Sequence, residues 1–571
     1  MDTGYEQMNR QVAGEYKGFY KAMPAPGAIV LLVLFLVPLF FTLSTAFLTE
    51  EGFSLSRIQQ TFTSSYTIRL LLFTLYQAAL STLFSVLVAL PGAYLLANYS
   101  FKGRRFIRAL TTVPFVIPSI LVVLGFVIFF GNNGFLNQFL MKAFSLDEPP
   151  IRILYSFKAI ILAHTFFNFP IVMNLVSTYW EHMDNHCEMA AWTMGAKRWQ
   201  TFRTITLPRL LPSVISAATL VFLFCYNSFA IILVLGGGPQ YTTMEVEIYR
   251  LARTSMDSAG AAALSLFSIL ITSILLIWYN KSQKMLARSE AFNTSANRLS
   301  KRPATKAGKL LAFLYSLITL LFILGPIASI MVRSFMASST RSGSESFSLT
   351  WYRQLFALER GTGHMGSALQ ALTNSLLIAA LVAFVTVPIA LTMATAIRKK
   401  GFASSALELF GMLPMTVSSV IIGLGYFLIA NRIRGGVSVG YTLVVLAHMV
   451  IAIPFVLRTI LPEYRKMPLS YIQSSLTLGA SPLRTFFLIE IPLLKGALIT
   501  GGMFAFALSM GEITATLTLA NSAIITLPVI MYRLIGSYNF QGACALGSVL
   551  IVVCSIVFLV SELAKGENNG R

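Results

Sequence analysis

The chain has 571 residues, of which 56% are hydrophobic and only 11% charged, and its mean hydropathy is +0.72. This composition excludes a soluble enzyme and reads as an all-α polytopic membrane protein whose function concerns the bilayer. The formal net charge of +21 does not call for nucleic acid, because the basic residues sit in short loops between apolar runs, where retention on the cytoplasmic side accounts for them.

In chain order, a polar tail through Lys21 precedes an apolar run from about 24 to 47. That run exceeds the roughly 20 residues needed to cross a bilayer and has no small-residue cleavage site, so it predicts an uncleaved first span. Further spans are expected at about 68–98, 107–130, 153–178, 209–236 and 259–280, then at 309–333, 370–396, 404–430, 440–460, 493–520 and 543–564. The organisation is therefore two halves of six spans, 1–280 and 309–571, joined by a linker at 281–308. Rich in Ser, Asn, Ala and Lys without apolar periodicity, the linker reads as a flexible tether fusing two ancestral subunits. Lys102, Arg104 and Arg105 mark one cytoplasmic loop; Arg398, Lys399 and Lys400 mark its counterpart; Lys281, Lys284, Arg288, Arg298, Lys301, Arg302 and Lys306 mark the linker. All fall on one side, which places both termini in the cytoplasm.

The second half repeats the first. Glu188–Pro212, EMAAWTMGAKRWQTFRTITLPRLLP, returns 284 residues later as Gln473–Gly496, QSSLTLGASPLRTFFLIEIPLLKG, with Gly195 and Ala196 answering Gly479 and Ala480, and Pro208 answering Pro492. Each copy predicts an elbow outside the bilayer: a short helix ended by a glycine at positive φ, a second short helix, and a proline where a new helix starts. His164 and Pro170 pair with His448 and Pro454 at the same offset, Pro114 and Gly125 with Pro414 and Gly425 at an offset of 300, the difference lying in a longer outer loop of the first half. Equal topology in both halves makes the repeat parallel, with a pore expected between them.

The elbow pattern resembles the coupling motif of type I ABC importer permeases, Glu-Ala-Ala, three residues, Gly, nine residues, Ile-x-Leu-Pro. The glycines, Ile205 to Pro208 and Ala190–Ala191 match it. Ser474–Ser475 replace the small pair in the second copy, and on the glycine register Met189 and Gln473 occupy the acidic position, with Glu188 one residue early. The resemblance implies that both elbows, through Glu188, Ala190, Ala191, Gly195, Ala196, Pro208, Ser474, Ser475, Gly479, Ala480 and Pro492, dock on two copies of a separate ATPase. It further implies an extracytoplasmic solute-binding protein, a place among the lipids of the bacterial inner membrane, and alternating access. The outer-loop segments LGGGPQYTTMEVEIYRLA (235–252) and ITLPVIMYRLIGSY (525–538) are similar to those of fused thiamine permeases, and EITATLTL (512–519) to a pattern of fused iron(III) permeases. Thiamine or its phosphates is therefore the first expectation for the solute and iron(III) the second.

No catalytic group is expected in the chain itself. A phosphate-binding G-x-x-x-x-G-K-[ST] loop is missing from the sequence, Gly236-Gly237-Gly238-Pro239 lacking its lysine. The five histidines are scattered, and Cys187, Cys225, Cys544 and Cys554 lack metal-ligand spacing, so neither cofactor nor metal is expected. His164 and His448 read either as helix-packing contacts or as polar points on a translocation path. Glu512, matched in the first half by neutral Ser228, is costly within a span and reads either as a packing contact or as a charge facing the solute. The rival to the importer is a secondary transporter driven by an ion gradient, which would need charged relays in the membrane.

Overall fold

The computed structural model describes residues 18–49, 52–101, 103–111, 117–236, 238–291, 302–303, 306–338, 345–356, 368–398, 401–433, 437–519 and 524–569. Lys102, Pro114, Gly237, Arg298, Lys301, Lys399, Lys400 and, within the linker, residues 292–301 and 304–305 lie outside them. The start of the linker, 281–291, which reads from sequence as part of a flexible tether, continues the helix Ser258–Ala291, and its end from Lys306 already belongs to the helix Lys306–Ser334. Among the described residues, eleven helices are long and apolar enough to cross a membrane, twelve counting one bent pair. The principal helices of the first half are α1 (Pro24–Phe47), α2 (Ser65–Asn98), α3 (Ser119–Phe130), α4 (Phe157–His182), α5 (Leu207–Tyr226) and α6 (Ser258–Ala291). Their counterparts are α7 (Lys306–Ser334), α8 (Ala368–Ile397), α9 (Ser419–Ile433), α10 (Val437–Lys466), α11 (Ile491–Gly511) and α12 (Phe540–Asn569).

Four of the expected spans are not single rods. In the second half, Phe402–Thr416 meets α9 at a bend of 86°, where Pro414 sits in a 3₁₀ turn. In the first half a short helix, Arg104–Leu110, stops ahead of α3, and α3 is followed by a further helix, Phe135–Phe144, in the longer outer loop. The fifth span breaks after Tyr226 and resumes as Ala230–Leu235; the eleventh breaks after Gly511 and resumes as Thr514–Leu519. Apolar runs flank each break and outweigh the one or two polar residues in it, such as Asn227, Ser228 and Glu512, so hydropathy alone reads one span where the backbone makes two segments.

Compact units do not coincide with the sequence halves. One unit contains Thr49–Trp351 with Leu534–Gly547, the other Met1–Leu48, Tyr352–Arg533 and Ser548–Arg571. The first helix of each half is thus exchanged: α1 packs on α8 and α9, and α7 packs on α3. Two glycines permit this. A Cβ on Gly425 would lie 2.4 Å from the carbonyl oxygen of Pro38 in α1, and one on Gly125 would lie 2.9 Å from that of Pro326 in α7. The glycine pair visible in the sequence therefore marks two equivalent close helix crossings. Tyr426 adds a hydrogen bond of 2.8 Å to the Leu34 carbonyl.

Within the unit of the first half, α2 buries small and weakly polar side chains, among them Ala78, Ser81, Ser85, Ala89, Gly92 and Ala93, while Leu72, Leu83, Phe84 and Leu87 point outward. That inversion suits a helix whose outer face meets lipid and whose inner face must approach a neighbour closely. The principal partner is α4, whose Phe169, Val172, Met173 and Val176 are fully buried against it.

Candidate coupling elbows and buried polar groups

Each elbow begins with a short helix, His186–Thr193 in the first copy and Leu469–Thr477 in the second. The chain then turns at Gly195 (φ 85°) and Gly479 (φ 82°), the left-handed conformation in which a Cβ is strained. In the first copy the Gly195 N–H donates to the Trp192 carbonyl and the Ala196 N–H to that of Ala191; in the second, Gly479 donates to Leu476 and Ala480 to Ser475. These paired bonds, one to the third residue back and one to the fifth, are the Schellman arrangement. They assign the glycine to the first position beyond the cap and the alanine to the next. A Cβ on either glycine would meet nothing within 4 Å, so the requirement is one of backbone conformation and not of packing space.

Beyond the glycine, the second short helix does not stop before the proline, as the sequence suggests. Arg198–Thr201 and Pro482–Thr485 pass through a single π turn, Phe202–Thr206 and Phe486–Glu490, directly into α5 and α11. The Leu207 N–H reaches back to the Phe202 carbonyl and that of Ile491 to Phe486. A proline lacks the N–H for an i−4 bond and crowds that carbonyl; widening the turn just ahead of Pro208 and Pro492 accommodates it without ending the helix.

Side chains brace the elbow from within. Ala191 and Ser475 are buried, whereas Ala190 and Ser474 are exposed. Glu188, half-buried in the first turn of its helix, accepts a hydrogen bond from Thr206 Oγ1 in the π turn; Ser475 and Thr485 hydroxyls lie 2.9 Å apart in the second copy. The Arg209 guanidinium donates to the Asp184 carbonyl, 2.7 Å away. The elbow tips, by contrast, are apolar and bare: Met194 is 82% and Trp199 71% exposed, and their repeat partners Leu478 and Leu483 are 87% and 55% exposed. Sequence reasoning passed over these four residues, although their apolar character beside a polar turn was a usable signal.

The polar groups within the spans occupy separate places in the two units. His164 in α4 bonds the Ser81 hydroxyl of α2 at 3.0 Å. His448 in α10 makes two bonds of 2.8 Å, to Ser509 of α11 and to Thr516 beyond the break. Both imidazoles are buried and hold neighbouring helices together. Glu512 stands at the break after α11, where its Oε1 accepts from the Ala515 N–H at 2.9 Å and so caps Thr514–Leu519. Ser228 occupies the matching break after α5. A further buried carboxylate, Glu245, lies in the helix Met244–Arg253 and accepts from Ser268. Its neighbour Glu247, 2% exposed, is forked by Arg250 at 2.6 and 2.8 Å. Those bonds push the Arg250 pKa up. Sequence reasoning missed both acids because they sit among polar residues of an outer-loop segment. Among the described residues no group of three His, Cys, Asp or Glu is placed to hold a metal ion.

A duplicated bundle of apolar helices, each half with one braced elbow, defines a membrane transport component. Residues 89–288 and 386–563 match the family described as the binding-protein-dependent transport system inner membrane component, and the chain belongs to that family as a fused, two-half permease. The thiamine transport system permease protein ThiP of Escherichia coli is 27% identical over 513 residues, 88% of this chain and 90% of that protein. That of Brucella abortus is 27% identical over 505 residues, covering 88% and 89%. The ferric transport system permease protein FbpB of Actinobacillus pleuropneumoniae is 25% identical over 554 residues, covering 95% and 78%. A solved bacterial ABC transporter that imports alginate covers 49% of this chain and 99% of its own at 19% identity, with a TM-score of 0.39.

Proposed function

We propose that this permease carries thiamine or its phosphates inward by alternating access, driven by two copies of a separate ATPase that dock on the elbows, with an extracytoplasmic binding protein delivering the solute. The observation that carries the coupling is the paired apolar tip, Met194 in the first elbow and Leu478 in the second, presented on two backbone turns of the same geometry. Exposed apolar side chains outside the spans mark a surface that a partner covers. Both elbows lie on the cytoplasmic side in this reading, as do both termini. Co-purification tests it: Met194→Asp with Leu478→Asp is expected to abolish recovery of the ATPase with a tagged chain. Recovery at the unmodified level would remove the elbows from the interface and reopen the case for an ion-gradient-driven carrier.

For the solute, the relatives named for thiamine transport support the first choice, and the relative named for ferric transport supports iron(III) as the second. Thiamine itself and the ferric ion are cationic, and Glu512 is the acid at the break of the eleventh span. One oxygen of its carboxyl group is on a helix N-terminus, which leaves the other for a passing cation. Glu512→Gln keeps the shape and is expected to preserve assembly while cutting thiamine uptake about ten-fold or more. Normal uptake would confine Glu512 to capping.

A further inference from the structure

The two elbows differ in what lies against their flank. In the unit that contains α1, the short helical segment 18–22 ahead of that helix lays Phe19 and Tyr20 on the second elbow. Tyr20 is 3% exposed and donates its hydroxyl to Glu490, as does Tyr464 of α10. The Phe19 ring stands edge-on to Phe486, with centroids 6.4 Å apart. The repeat partners of Tyr464, Phe486 and Glu490, each 284 residues earlier, are Trp180, Phe202 and Thr206. In the other unit these three line an open cleft of about 880 Å³. Aligning α7 with α1 on Pro326 and Pro38, the residues at the two glycine crossings, sets Gly308 opposite Tyr20. The repeat-equivalent filler thus has no side chain.

We propose that this cleft is a binding site for an anionic phospholipid of the elbow-side leaflet. Its inner wall is Leu87, Leu90, Pro91 and Tyr94 of α2. Leu87 and Tyr94 are 54% and 42% exposed on a membrane-spanning helix, so that wall continues the face that meets acyl chains. The opposite wall is aromatic: Phe202 stacks between Trp180 and Trp199, with centroids at 6.2 and 5.7 Å. Tryptophan and tyrosine favour the depth at which headgroup and chain meet. Charge then selects the headgroup. The carboxylates of the lining are engaged, Glu181 by Arg104 and Arg108 and Glu188 by Thr206. Arg198 at the mouth is exposed and forms no ion pair among the described residues. Two guanidinium groups on Glu181 leave that cluster at +1, Glu188 keeps its −1 and Arg198 adds +1, so the balance around the cleft is positive, which suits a lipid phosphate of net negative charge.

Trp180, Trp192 and Trp199 line the cleft and are three of the five tryptophans in the chain, so their fluorescence reports its occupant. The full chain carrying Trp278→Phe and Trp351→Phe is placed in nanodiscs, and phosphatidylglycerol or phosphatidylcholine brominated on the acyl chains is titrated in. Phosphatidylglycerol is expected to half-quench the emission at about a five-fold lower mole fraction, the factor typical of one interfacial basic residue facing an anionic headgroup. Arg198→Glu should erase that preference, and Gly308→Tyr should weaken quenching by both lipids. Equal quenching by the two lipids, a preference that survives Arg198→Glu, or emission shielded from both lipids by a protein segment would each overturn the proposal.

Discussion

The two elbows share a backbone and little else. Both end their first helix in a Schellman turn at glycine, both widen to a π turn before proline, and both run unbroken into a span. Their flanks have diverged: a carboxylate gathers two phenols at the second elbow, while at the first the matching residue is Thr206 beside an open cleft. Duplication therefore preserved the positions at which the main chain tolerates one residue type, and released the positions at which side chains merely pack. The small pair illustrates the boundary, since Ala191 and Ser475 differ in chemistry but are both buried under the same turn.

The sharpest way to break the symmetry is at the helix crossings. Gly425→Leu forces a side chain where Pro38 of α1 leaves 2.4 Å, and Gly125→Leu does so where Pro326 of α7 leaves 2.9 Å. Overpacking of this kind costs about 1–3 kcal/mol, toward the upper end where the obstacle is backbone, and Gly425→Leu should show the larger drop in thermal stability of the detergent-solubilised chain. Next comes Tyr20→Phe, which removes one donor from the Glu490 carboxylate and should cost about 2 kcal/mol. Thr206→Val, at the matching position of the first elbow, removes only the bond to half-buried Glu188 and should cost about 1 kcal/mol or less by the same denaturation assay.

The elbow turns themselves are expected to respond equally. Gly195→Val and Gly479→Val each impose about 1–2 kcal/mol of left-handed strain, and together they should abolish solute-stimulated ATP hydrolysis in the reconstituted transporter. Asparagine tolerates that conformation, so Gly195→Asn with Gly479→Asn should retain most of the stimulation. Loss with asparagine as severe as with valine would show that side-chain bulk, and not φ, matters there. The histidines are also expected to differ, since His448→Phe gives up two hydrogen bonds and His164→Phe one. The gap should be about 1 kcal/mol in thermal or chemical unfolding.

The sequence by itself determined the membrane class, the twofold repeat, the approximate spans and the positive φ of Gly195 and Gly479, because each is written in local composition or in a fixed spacing. Tertiary structure alone decided the exchange of α1 and α7, since an apolar helix looks the same whether it packs on its own half or the other. The same ambiguity hid the breaks after Tyr226 and Gly511: apolar residues continue on both sides, and only the capping bonds of Glu512 and its neighbours show that the helix stops. Gly125 and Gly425 were legible as a pair but not as crossings, because a glycine reveals which backbone approaches it only when the distant proline is in place. Glu245, Glu247 and the aromatic cleft followed the same rule, for burial of a polar group depends on partners far along the chain, and hydropathy records the residue without recording what surrounds it.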